Sequence, residues 1–229
     1  MHQIQNNILR TLLFKETARF TELNINKIPN DHFTFHLKRL IGEGLVRKNQ
    51  DGSYVLTIAG KEYANRLDTD SKEVEIEKQA KIGILVVCTD GLGDKKKYLV
   101  QQRLKHPYHG FYGFISGKIK WGEGIYQAAL RELEEEAGLK AKLDLVGIEH
   151  KIDYSKEGKL LEDKFFYIVK ATSLTGQLLE SFEGGRNAWL TQKEIKNLPD
   201  LFDDVLKIIK VIDKGKFIFF EDKYNVKRY

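Results

Sequence analysis

Across residues 3 to 14 the apolar side chains Ile4, Ile8, Leu12 and Leu13 recur about four apart, the stripe of a helix packed on one side. Thr21, Glu22 and Leu23 open a shorter second segment, and Pro29, Asn30 and Asp31 form a turn whose side chains can cap the next helix. That helix is expected from about residue 32 to 43, with Phe33, Leu37, Leu40 and Ile41 inward and His32, His36, Lys38 and Arg39 outward. Gly42 and Gly44 supply the stop. Leu45, Val46 and Arg47 then read as a strand, Asp51-Gly52 as a turn, and Tyr54, Val55 and Leu56 as the returning strand. A final helix holds Tyr63, Ala64 and Leu67. The stretch DTDSKEVEIEKQ is almost wholly polar and reads as a linker over 71–80, although a continued helix or a short strand is also open.

From residue 82 to 88 a continuous β-branched run suits a strand buried on both faces, and residues 98 to 103 alternate like its partner. Farther on, FDDVLKIIKVID is an amphipathic helix carrying Phe202, Val205, Leu206, Ile209 and Ile212 on one side. The last segment, 214–229, joins a strand-like FIFF to five basic and two acidic residues, and packing on its own domain is preferred to a role at a partner's sheet edge.

Composition narrows the class. The 229 residues are 41% hydrophobic, enough for real cores in two small domains, and the formal charge is only +5. No apolar run approaches the ~18 residues that span a bilayer and no secretory pattern opens the chain, so a soluble, cytoplasmic protein without membrane contact is expected. The single cysteine, Cys88, lies in the apolar run IGILVVC and reads as a small buried hydrophobe.

The segments HLKRLIGEGLVRK and GSYVLTIAGKEY make residues 1–70 resemble a winged helix-turn-helix domain, three helices with a β-hairpin wing. The resemblance implies contact with double-stranded DNA through His32, Thr34, His36, Lys38 and Arg39 of the third helix and Arg47 and Lys48 of the wing. Charge argues less for it: residues 1 to 80 hold 12 Lys or Arg and 11 Asp or Glu, a balance of +1 where DNA-binding domains usually present a basic face.

The chemistry is concentrated in GKIKWGEGIYQAALRELEEEAGL, residues 117–139. Gly117, Gly122 and Gly124 make a loop, and Gly138 ends a helix that begins near Ile125. Tyr126, Leu130, Leu133 and Ala137 form its expected buried stripe, while Glu132, Glu135 and Glu136 sit at i, i+3 and i+4 and converge. Like charges so spaced repel, and a hard divalent cation such as Mg²⁺ or Mn²⁺ is one compensation. The plain alternative is a solvated acidic face balanced by Arg131, which can pair with Glu123 or Glu135.

These residues resemble the Nudix box at all nine of its fixed positions: Gly117, Glu123, Arg131, Glu132, Leu133, Glu135, Glu136, Gly138 and Leu139. In the entry turn the chain has Ile115-Ser116-Gly117 where the family often has Pro-Gly-Gly. The resemblance implies an α+β chain in which 81–213 form a Nudix α/β/α sandwich around a mixed sheet. It also implies hydrolysis of a phosphoanhydride in a nucleoside diphosphate linked to another moiety, with Mg²⁺ or Mn²⁺ as cofactor. Glu135 and Glu136 would be principal metal ligands, Glu132 a further ligand or the base, the Gly117 carbonyl an extra ligand, and Arg131 would orient the carboxylates. Some members take the base from outside the box, for which Glu149, Glu157, Glu162 and Glu183 are candidates. Arg103 would grip a substrate phosphate, with a surface salt bridge as its plain alternative. Aromatic residues gather at the box entry, His106, Tyr108, His109 and Phe111 among them, and Tyr112 and Trp121 are the chosen substrate-binding candidates.

Two functions are consistent with this pattern. One is a metal-dependent Nudix hydrolase of a nucleotide-type small molecule. The other is a transcription regulator whose Nudix-like domain senses a nucleotide metabolite and moves the winged helix, as in regulators that resemble this pairing with the domains in the opposite order. Retention of Glu132, Glu135 and Glu136 favours hydrolysis, and a homodimer is compatible with either.

Overall fold

The structure is a computed structural model that describes residues 1–68 and 76–229. The chain divides into two compact units, Met1–Lys78 and Gln79–Tyr229. Half of the linker reading, 71–75, lies outside the described residues; just beyond it Ile76 pairs with Leu67 in an isolated bridge.

The first unit runs α1 (Gln3–Leu13), α2 (Phe20–Leu23), α3 (Asn30–Gly42), β1 (Val46–Lys48), β2 (Tyr54–Leu56) and α4 (Ile58–Ala64). Its core joins Ile4, Ile8, Leu9 and Leu12 of α1 to Phe33, Leu37 and Leu40 of α3 and to Val46 and Leu56 of the antiparallel hairpin. His2 caps α1: its Nδ1 accepts from the Ile4 amide at 3.2 Å, and Gln5 reaches back to the His2 amide at 3.0 Å. Helix α3 starts directly after Pro29 without a side-chain cap, so Asn30 and Asp31 occupy its first turn rather than capping it. Leu67 lies beyond α4.

Two side chains of α3 depart from the expected faces. Ile41 is exposed and His36 is buried, at 5% exposure. His36 falls three residues after Phe33 and four before Leu40, on the inward stripe, and the start of α1 covers it with the His2 ring stacked at 4.3 Å. Burial and the neighbouring charges of His2, His32 and Arg39 lower its affinity for a proton. His36 is therefore withdrawn as a DNA contact, whereas Lys38, Arg39, Arg47 and Lys48 are exposed.

The second unit contains β3 (Lys81–Asp90), β4 (Lys97–Arg103), β5 (Tyr112–Gly113), β6 (Ile115–Lys118), α5 (Ile125–Ala137), β7 (Leu139–Tyr154), β8 (Leu160–Gly176), β9 (Ser181–Phe182), β10 (Gly185–Thr191), α6 (Gln192–Lys196), α7 (Val205–Val211) and β11 (Ile218–Asn225). They form a mixed sheet in the order β11-β7-β8-β3-β4-β10-β9, with β5 on β4 and β6 on β3. Strands β3 and β8 are parallel, as are β7 and β11.

The apolar run in β3 is explained by burial on both faces. Ile84, Val86 and Cys88 pack with Ala128, Ala129 and Leu133 of α5, while Leu85 and Val87 pack with Val205 and Ile208 of α7. Burial pushes the Cys88 thiol up to about 12, as befits an inert core group. The buried stripe of α5 is rotated from the expected one: Tyr126 and Leu130 are exposed, and Ala128, Ala129 and Glu136 join Leu133 and Ala137 inside. Small alanines let the helix lie close to the sheet, and Tyr126 instead takes the Leu145 amide on its hydroxyl at 3.2 Å. The last segment becomes β11, paired along its length with β7 of its own unit. Among the described residues no helix is long and apolar enough to cross a membrane.

Candidate active site

Strand β6 and helix α5 bring the loop 117–124 against the helix carboxylates. Gly117 pairs with Ile84 in the sheet, and a Cβ placed on it would lie 2.0 Å from the Glu132 carboxyl carbon. The missing side chain is what admits Glu132 beside the strand. At the other end of α5, Gly138 adopts φ +68°, closing the helix so that the Ala137 carbonyl accepts from the Leu179 amide at 2.9 Å.

Arg131 organises this surface. Its Nε and Nη2 donate to the two oxygens of Glu123 at 2.7 and 2.9 Å, and Nη2 also donates to the Lys118 carbonyl at 3.1 Å. Its Nη1 donates to Glu132 at 2.6 Å and to Glu135 at 3.3 Å. Neither of the two pairings open from sequence excludes the other: one planar guanidinium serves both partners and Glu132 besides. The hydrogen bonds from Arg131, with the Lys120 amide, hold the Glu123 carboxyl down to about 2.

The three helix carboxylates do not converge as expected. Glu132 turns toward Arg131 and Gly117, Glu135 is exposed, and Glu136 is buried toward β4. Among the described residues no three His, Cys, Asp or Glu side chains are arranged to hold a metal. Glu136 accepts from Gln101 at 3.1 Å and lies 3.6 Å from the Lys105 ammonium. Burial raises its carboxyl above the usual range, against the pull of Gln101 and Lys105. Below it, Asn187 donates to the Glu136 and Leu179 carbonyls at 2.7 and 2.8 Å and accepts from Gln101 at 3.3 Å. The donors are carboxylate oxygens, the kind that Mg²⁺ and Mn²⁺ take, and Glu132 lies near enough to Glu136 for its charge to raise it further.

Gln101, Lys105 and Asn187 were not foreseen from the sequence. They belong to β4, the turn after it and β10, and nothing local in their segments signals the pairing of those strands beneath α5.

The remaining candidates separate. Arg103 directs its hydrogen bonds at loop carbonyls, Nε to Pro107 at 2.5 Å and Nη2 to His106 at 3.4 Å, in place of the surface salt bridge. Tyr112 packs into the α7-side core, on the sheet face opposite Glu136, and so is not brought to the box. Trp121 is 98% exposed on the box loop. Tyr108 and Phe111 are buried in the other layer, where the Tyr108 hydroxyl donates to Asp153 at 2.7 Å. Glu149 and Glu162 are buried on that same face and are set aside as bases. Glu157 lies in the β7–β8 turn. Glu183 lies in the β9–β10 turn, whose Gly184 faces the Lys105 ammonium: a Cβ there would stand 3.3 Å from it.

A mixed sheet held between α5 and α7, with the box on α5, defines the class. The family model for the NUDIX domain matches residues 79–210, more than half of the chain, and the protein belongs to that family of Nudix hydrolases. The match leaves the N-terminal helices and hairpin unassigned. An ADP-ribose pyrophosphatase of Methanocaldococcus jannaschii is 28% identical over 159 residues, 69% of this chain and 88% of that one. The crystal structure of a MutT protein from Bacillus halodurans is 23% identical, covers 65% of this chain and 93% of its own, and superposes with a TM-score of 0.53, which shows the shared fold.

Proposed function

We propose that the chain is a metal-dependent pyrophosphohydrolase of nucleoside diphosphates linked to a second moiety, with ADP-ribose the first substrate to test. The observation that carries this is Arg131 gripping Glu123, Glu132 and Glu135 together beside the buried Glu136, whose ammonium partner, Lys105, stands 3.6 Å away. The relative named for ADP-ribose supports the substrate class.

Glu132, Glu135 and Glu136, with the Gly117 carbonyl, would hold Mg²⁺ or Mn²⁺. Bound there, the ion would neutralise charge on phosphoryl oxygens and lower the pKa of a water. The chain's own residues do the rest. Arg131 keeps Glu132 and Glu135 in place, and Lys105 offers an ammonium to a substrate phosphate once Glu136 is otherwise neutralised. Glu132 is the base favoured here. Glu183 is the outside candidate best supported by position, because its turn adjoins Lys105. Arg103 stiffens the 106–110 loop, and Trp121 offers an open aromatic face to a base or sugar.

The test incubates the protein and its Glu136→Gln variant with Mg²⁺ and a panel of nucleoside triphosphates, dinucleotides, nucleotide sugars and ADP-ribose, detecting released phosphates. Turnover by wild type alone is expected. Turnover retained in the variant overturns the assigned site.

A second reading, regulation through DNA, has one supporting observation: the order α1-α2-α3-β1-β2-α4, with Lys38, Arg39, Arg47 and Lys48 exposed, suits a winged helix. Salt-sensitive binding to duplex DNA is its expected signature, and no such binding removes it.

A further inference from the structure

The first unit contains a cluster of imidazoles that the hydrolase reading leaves unused. His32 and His36 lie one turn apart on α3, and their Nε2 atoms are hydrogen-bonded to each other at 3.2 Å, a bond that an ion held by both nitrogens would replace. An ion that binds imidazole at 2.0–2.1 Å with tetrahedral angles sets its nitrogens about 3.3 Å apart. Two histidines at i and i+4 on one helix face are an established chelating pair in other folds. The His36 ring is packed between two others: His2 stacks on it at 4.3 Å and Phe35 meets it edge-on at 5.3 Å. Its Nδ1 is buried without a partner, so the ring's polar reach runs through Nε2 alone. The His32 side of the pair opens to solvent.

The positive groups beside the pair are His2 and Arg39. Arg39, the positive side chain on the following turn, is drawn toward Glu43, Nε to Oε1 at 2.9 Å. His2 cannot readily serve as a third ligand through Nδ1, which already accepts from the Ile4 amide. It packs against both rings of the pair.

We propose that His32 and His36 form a two-imidazole site for a borderline transition-metal dication, of the Ni²⁺ or Zn²⁺ class, separate from the carboxylate site on α5. Imidazole nitrogens suit such ions far better than Mg²⁺, whereas the oxygen donors of the box are of the kind that Mg²⁺ and Mn²⁺ take. The site therefore makes the first unit, at the start of α3, responsive to a metal that the hydrolytic centre does not require.

The experiment titrates Ni²⁺ into the full-length protein in saturating Mg²⁺, which occupies the box, and follows heat and melting temperature. Wild type is expected to take up one Ni²⁺ that His32→Ala abolishes, with the ion raising the melting temperature of wild type only. His32 is exposed, so its removal leaves the core of the unit intact. His109→Ala serves as the control, because His106 and His109 also stack, with centroids 5.6 Å apart. Absence of Ni²⁺ binding by wild type, binding that survives His32→Ala, or binding lost in His109→Ala would each overturn the assignment. Hydrolytic activity enters none of these readouts, so the outcome is independent of the function proposed for the second unit.

Discussion

The second unit holds two acidic clusters on opposite faces of one sheet, and they are built on opposite plans. On the α7 face Lys151 pairs with Asp204 at 2.7 Å, Lys164 with Asp153 at 3.1 Å and Lys81 with Glu162 at 2.6 Å, so each carboxylate has its own ammonium. The carboxyl left over, Glu149, is pushed well up by burial and then by the Asp204 charge, so it stays neutral there. On the α5 face Glu123, Glu132, Glu135 and Glu136 face Arg131 and, at longer range, Lys105. The closed cluster is balanced by its own residues, and the open one carries an excess of negative charge. A deficit of cations in a reachable place marks a site, whereas the number of acidic residues does not.

That contrast can be broken from either side. The largest effect is expected from Lys151→Ala, which strands Asp204 without a partner in the interior and should cost about 3–5 kcal/mol in chemical denaturation. Turnover per folded molecule should be unchanged. Arg131→Lys should act in the opposite sense, since an ammonium cannot reproduce the fork that reaches three carboxylates. A loss of roughly 10–100-fold in kcat/KM is expected, with little change in melting temperature. Unaltered kcat/KM would show that the clamp is dispensable.

Smaller effects sharpen the comparison. Because the folded state holds the Glu149 carboxyl above its unfolded value, its contribution to stability is full below about pH 4.5 and is lost as pH rises toward the raised value. Relative to Glu149→Gln, wild type should therefore lose about 1.4 kcal/mol per pH unit above that point. Parallel stability curves for the two proteins would show that Glu149 ionises normally. Trp121→Ala should change stability by no more than about 0.5 kcal/mol, because the side chain is open to solvent, yet should raise KM for a nucleotide substrate. An unchanged KM would leave the indole without a role in recognition.

Legibility differed with the range of the cause. The box was readable because its positions are local: Gly117 to Leu139 fall in one loop and one helix, and Arg131 reaches its carboxylates within that stretch. The two-sided burial of β3 was readable for the same reason, as an unbroken apolar run. His36 was misassigned because its burial depends on His2 at the start of α1, thirty-four positions away in the chain and stacked on its ring. Tyr108 looked like an entry residue from its neighbours in sequence, but Asp153 and Phe202 draw it into the other layer.

The sequence by itself determined the helices and hairpin of the first unit, the apolar strand β3, the box helix and the family resemblance, because helix periodicity, turn glycines and motif spacing are short-range properties of the chain. Tertiary structure decided the rest. It turned Glu136 inward onto Gln101, set Asn187 beneath it and left Glu132 and Glu135 on Arg131. It also carried Glu149 and Glu162 to the far face. The physical reason is that a side chain's charge state and reach depend on what packs against it, and those neighbours come from strands distant in sequence that only the sheet brings together.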